Sequence, residues 1–201
     1  MISRRRFIQA GAAISLIGSV GSAAAQTLAS TVRSQPFHTV FYDANHPAAS
    51  AFAAAARSKM SRVEAMGETL SRALWGQLDD FWKKGGGVIA GMTDAQAAYC
   101  VETLARNKGM RAYFRMVHTP QADHGYCHRA DVAIERHGVV VAADQSDWGE
   151  RVFDLMQDID LATAQPVPPL QYAPMIHCER FGPALISWVI APASSHVRSL
   201  G

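Results

Sequence analysis

The sequence predicts an α/β fold: a three-layer sandwich with a mixed sheet, its parallel N-terminal core extended by antiparallel hairpins. Two patterns lead there. Between His38 and His118, short apolar runs alternate four times with segments of helical period, and short connections join them, as right-handed crossovers in a parallel sheet require. Beyond Tyr126, strand-like runs instead flank the turn residues Glu135-Arg136-His137-Gly138 and Gly182-Pro183, which predicts hairpins.

Each element has its own local reason. His38-Thr39-Val40-Phe41-Tyr42 has the β-branched and aromatic content of a strand and ends at Asp43. Asn45 or His46 can cap the next helix, and Pro47 suits its first position, where an amide would have no partner anyway. The alanine-rich run from Ala48 to Arg57 is a strong helix former. Arg62 to Met66 reads as a second strand stopped by Gly67. A helix from Leu70 to Lys83 follows, with Leu74, Leu78, Phe81 and Trp82 at helical spacing.

Gly85-Gly86-Gly87 then makes a turn into Val88-Ile89-Ala90, an apolar run too short for a helix and suited to a strand covered on both faces. Thr93 and Gln96 form a capping box that opens a helix from Asp94 to Lys108, and Gly109 stands where a left-handed C-cap is needed. Met110 to Val117 is a fourth strand that reaches His118. Tyr126 to Ile134 pairs with Val139 to Ala143, and a helix from Asp147 to Leu161 follows, with Asp147 and Glu150 suited to its cap. Pro166, Pro168 and Pro169 force an extended crossing, and Met175 to Phe181 with Ala184 to Ala191 forms the second hairpin.

The first residues carry a different message. Ser3-Arg4-Arg5-Arg6-Phe7-Ile8-Gln9, followed by the apolar stretch Ala10 to Val20 and the small residues Ala23-Ala24-Ala25, resembles the twin-arginine export signal of bacteria. That resemblance implies recognition by the twin-arginine translocase, export in the folded state, often around a cofactor or with a partner, and a periplasmic location. The chain then divides into a signal over 1–25, a polar lead-in over 26–36, a single α/β domain over 37–192 and a tail over 193–201. Loss of Arg4, Arg5 and Arg6 lowers Lys plus Arg from 19 to 16 against 17 Asp plus Glu, so the formal charge passes from +2 to about −1. No basic footprint for nucleic acid remains, and no stretch approaches the roughly 18 apolar residues of a membrane span.

Two stretches are candidates for chemistry. In an open sheet the carboxyl edge of the parallel strands is where ligands bind. Asp43, His46, Glu68, Thr69, Thr93 and Asp94 fall at or just past strand ends on that edge, with His118 beside them as the candidate catalytic imidazole. Helix N-termini there present free amides, which favour a small polar or anionic ligand, although Asp and Thr at such positions also serve as plain caps. The second stretch is Thr119 to His128, where His124, Cys127 and His128 are candidate metal ligands. His124-Gly125-Tyr126-Cys127-His128 is similar to the covalent haem c attachment motif, but a histidine replaces its first cysteine.

Cys127 and Cys178 sit in the two hairpins and are candidates for a disulfide, whereas Cys100 reads as a buried helix residue. There is no Walker loop, nucleophile elbow or C-x-x-C pair, and Gly85-Gly86-Gly87 precedes a strand where a dinucleotide fingerprint would follow one, so no nucleotide motif is present. The expectation is an exported binding or accessory protein that holds a small ligand at the strand edge or serves a co-exported enzyme. A small hydrolase using His118, with or without metal, and a structural subunit of an exported complex are the alternatives.

Overall fold

The computed structural model describes residues 37–60, 62–66, 71–121, 125–131, 147–171 and 184–193. All of them belong to one compact unit that spans Ser34–Gly201. The predicted leader, the arm Val139 to Ala143 and the arm Met175 to Phe181 lie outside the described residues.

Among the described residues six strands form one mixed sheet: β1 (Thr39–Asp43), β2 (Val63–Met66), β3 (Ile89–Asp94), β4 (Met110–Pro120), β5 (Tyr126–Ala130) and β6 (Leu185–Pro192), in the order β2-β1-β3-β6-β4-β5. The described helices that cover it are α1 (Pro47–Lys59), α2 (Arg72–Lys83), α3 (Ala95–Arg106) and α4 (Trp148–Gln157). The predicted α/β sandwich with a mixed sheet is therefore the observed fold. β1 runs parallel to both β2 and β3, and β6 runs antiparallel to both β3 and β4.

The winding explains which helix lies on which face. The chain leaves β1 outward to β2 through α1, then returns across β1 to β3 through α2. Right-handed crossovers taken in opposite directions put their helices on opposite faces. Phe52 and Ala56 of α1 accordingly share a core with Val40, Ala90, Met92 and Val189, together with Val152 and Phe153 of α4. Leu78 and Trp82 of α2 and Val101 and Leu104 of α3 pack on the other face against Phe41, Ile89, Ile186 and Trp188.

Several local expectations hold to within a residue or two. Pro47 is the first residue of α1, with His46 at its N-cap. Gly109 has φ +75, the left-handed conformation that ends α3. The capping box does not form. Thr93 remains inside β3, and Asp94 is the N-cap, its carboxylate accepting the Ala97 amide at 2.7 Å. The strand runs further than the short apolar core suggests because β6 pairs with it through Thr93↔Ile186 and Asp94↔Leu185.

Strand order is where tertiary structure intervenes. β4 does not adjoin β3, because β6 lies between them, and β5 folds back on β4 through the short connection after Pro120. The insertion is tight at one point. Gly91 faces Trp188 across the β3–β6 ladder, and a Cβ there would stand 2.4 Å from the indole and 3.0 Å from the Phe41 carbonyl oxygen. The indole also donates from Nε1 to Thr93 Oγ1 at 3.1 Å, which fixes its orientation. On the other face, a Cβ on Gly149 would stand 2.5 Å from the Ala48 carbonyl oxygen, so α1 and α4 touch backbone to backbone.

Gly91→Ala should destabilise the domain by about 1–3 kcal/mol, the usual cost of overpacking a filled core. A fall in the urea midpoint at unchanged slope would register it. A midpoint equal to that of the parent would mean that Trp188 does not hold this position.

Candidate functional site

The β4–β5 hairpin sorts its residues by the two-residue period of a strand. The register pairs His118 with His128, Thr119 with Cys127 and Pro120 with Tyr126. His118, Tyr126 and His128 therefore face α1 and α4, whereas Thr119 and Cys127 face the opposite layer. Leu185 of β6 pairs with Asp94 on one side and His118 on the other, so His118 is level with the end of β3. This is the carboxyl edge of the parallel strands, as the sequence predicts. His118 is not beyond its strand, however: β4 continues to Pro120 and β5 covers it, leaving the imidazole at 0% exposure.

A chain of hydrogen bonds passes through His118. Its Nε2 lies 2.9 Å from Ser187 Oγ, and its Nδ1 lies 2.7 Å from His128 Nδ1. A neutral imidazole has one N–H and one lone pair, so two consistent proton arrangements exist. If His118 donates to Ser187, it accepts from His128. If it accepts from Ser187, it donates to His128. In either state the chain ends at His128 Nε2, which is buried and has no partner.

Aromatic rings close the site. Trp148, the first residue of α4, lies with its ring centroid 4.6 Å from His118, 4.9 Å from His128 and 5.0 Å from Tyr126. The Tyr126 hydroxyl lies 3.3 Å from Nε2 of His46, the N-cap of α1, while His46 Nδ1 is buried without a partner. Burial of a ring nitrogen without a hydrogen bond costs about 1–3 kcal/mol. The His46 side chain makes no capping bond to α1, which leaves the first amides of that helix without a side-chain partner from it.

Burial keeps these imidazoles neutral. His118 is held well below the ordinary histidine value, first by desolvation and then by the neighbouring His128 and His46. Desolvation also lowers His128. It lowers His46 too, against the opposing attraction of Asp43. The string Ser187–His118–His128 has the connectivity of a nucleophile, base and orienting group. Ser187 has 0% exposure, however, so no substrate carbonyl can reach it. The arrangement suits a proton relay from the sheet interior to His128.

The remaining predicted residues are spread out. Asp43 is buried at the end of β1 and accepts the Asn45 amide at 2.9 Å, a turn contact, while remaining near enough to His46 to act on its charge. Thr93 is buried on the opposite face, where its hydroxyl accepts from the Trp188 indole. Asp94 caps α3. Glu68, Thr69 and His124 lie outside the described residues. Cys127 and His128 point to opposite faces of β5. Among the described residues no group of three or more His, Cys, Asp or Glu side chains is placed to hold a metal ion. Cys127 is an exposed free thiol, and Cys178, its expected partner, lies outside the described residues.

Residue spacing alone missed Tyr126, Trp148 and Ser187. The signal for the first was available: alternating residues on either side of a short glycine-containing connection mark a hairpin, which would have set Tyr126 and His128 beside His118. Trp148 and Ser187 had no such signal, because helix packing and the insertion of β6 bring them in.

The lowered histidines predict an acid-sensitive domain. The unfolded chain takes up these protons near pH 6.5, but the folded chain resists them to lower pH. The unfolded state thus binds more protons in that window. Stability should be complete above about pH 6.5 and fall as pH drops toward the folded-state values. Urea midpoints measured between pH 7.5 and 5 should decline, and His118→Phe should flatten the decline; a flat profile in the parent would contradict it. No family model matches the chain, and no curated protein or solved structure does either.

Proposed function

We propose that this chain is an exported binding protein that holds a small polar or anionic ligand among His46, Tyr126, His128 and Trp148 at the carboxyl edge of the sheet. The observation that carries this reading is the pair of buried ring nitrogens without partners, His46 Nδ1 and His128 Nε2, in one aromatic-walled cluster. A ligand oxygen would satisfy them and recover part of the desolvation cost. The N-terminus of α1 adds partial positive charge, which favours an anion over a cation. The leader that resembles a twin-arginine signal supports a periplasmic setting, and Ser187–His118 supplies a buried proton store behind His128.

The hydrolase reading would need a nucleophile other than the fully buried Ser187, and service to a co-exported enzyme has no specific observation behind it among the described residues. The test is long-range proton–nitrogen NMR of the imidazoles during titration with phosphate and with succinate. Binding should shift the ring nitrogens of His46 and His128 together and saturably, and His128→Ala should weaken it by about tenfold, the worth of one charge-assisted hydrogen bond. Unchanged imidazole resonances across both series would overturn the proposal.

A further inference from the structure

The opposite face of the β4–β5 ladder carries a second arrangement, independent of the imidazole site. Period-two alternation places Arg115, Val117 and Thr119 of β4 on this face, with Cys127 and Arg129 of β5 opposite Thr119 and Val117. Together with Leu170 of the proline-rich crossing and Ile186 of β6, they line a cavity of about 430 Å³, within the range of small-molecule sites.

The charges in this cavity are not equivalent. Arg115 is buried and both its terminal nitrogens are engaged: it pairs with Glu102 at 3.4 Å and Asp131 at 3.2 Å and donates to the Pro168 carbonyl, while its Nε is buried without a partner. Glu102 in turn accepts the Leu170 amide at 2.9 Å. This network ties the crossing over 166–171 to the sheet and holds the cavity open against Val117 and Ile186. Arg129 is different. It lines the cavity, is exposed, and no carboxylate among the described residues pairs with it.

We propose that this cavity is a binding site for a small amphipathic carboxylate. The carboxylate lies against the Arg129 guanidinium and the Thr119 hydroxyl, and the hydrocarbon part lies over Val117, Ile186 and Leu170. The chemistry follows from the lining: Arg115 and Asp131 are paired with each other, Arg129 is the cation left unpaired among the described residues, Thr119 brings a hydroxyl, and Val117, Ile186 and Leu170 are apolar. Arginine suits a carboxylate because its planar fork can donate two parallel hydrogen bonds. A cation is disfavoured by Arg129, and a purely polar anion would leave the floor unused.

Cys127 supplies a reporter, because its exposed thiol lines the same cavity. The test measures carbamidomethylation of Cys127 in the full chain by peptide mass spectrometry, with hexanoate as the probe and hexanamide as its uncharged counterpart. Cys100, on α3, is the internal control. Hexanoate should slow alkylation of Cys127 by about fivefold at a concentration of about four times its dissociation constant. It should leave Cys100 unaffected.

Arg129→Gln is a surface change that leaves the Arg115 network intact, and it should abolish the protection; Arg62→Gln, at the far edge of the sheet, should retain it. Each of three results would overturn the proposal: no protection by hexanoate, equal protection by hexanamide, or protection that survives Arg129→Gln. Because the readout lies on the face opposite His128, it stands or falls separately from the imidazole site.

Discussion

β6 lies between β3 and β4, and most of the architecture depends on that insertion. Its seven buried residues Leu185 to Ala191 contribute alternately to the two cores: Leu185 and Val189 to the α1/α4 face, Ile186, Trp188 and Ile190 to the α2/α3 face. Hydrogen bonding on both edges satisfies the backbone of a strand that no water reaches, which a buried strand must achieve. Gly91 is what lets Trp188 lie flat against β3, and Ser187 on the same strand supplies the partner for His118. One strand thus sets both the packing of the sheet and the inner end of the histidine chain.

The same two-residue period gives the β4–β5 hairpin two chemically distinct faces. Toward α1 and α4 it presents imidazoles held neutral by burial; toward α3 and the proline-rich crossing it presents guanidinium groups and a thiol. Both faces contain buried polar groups, yet they meet the cost of desolvation differently. Glu102, Asp131 and a carbonyl oxygen surround the Arg115 guanidinium, the pairing that a buried ion requires. The histidines give up their charge instead and bond to one another and to Ser187 and Tyr126. Buried nitrogens without partners remain on both faces: Nε of Arg115 on one, and His46 Nδ1 and His128 Nε2 on the other, at the edge of the sheet where parallel strands end.

Much of this was legible in order along the chain. Pro47 at the start of α1, Gly109 beyond α3 and the spacing of Leu74, Leu78, Phe81 and Trp82 all act within a turn or two of their own positions, so local sequence reveals them. The carboxyl edge as the place to look, and His46 and His118 within it, followed from the alternation of strands and helices. The Thr93–Gln96 box failed for an instructive reason: an isolated pattern offered a cap, but pairing with β6 extended β3 by the residues that the cap needed. Cys127 and His128 are adjacent in sequence, yet the strand sends them to opposite faces, a separation that sequence distance does not show.

Most of the described elements, their alternation and the α/β class follow from the sequence alone, because propensity, capping and periodicity are short-range effects. Tertiary structure alone decided that β6 separates β3 from β4, that Ser187 and Trp148 reach His118, and that Arg115 is neutralised by Glu102 and Asp131. The side-chain contacts among these join residues 13 to 69 positions apart. They arise only after a topology has been selected by burying two apolar faces at once, and no local pattern encodes that choice.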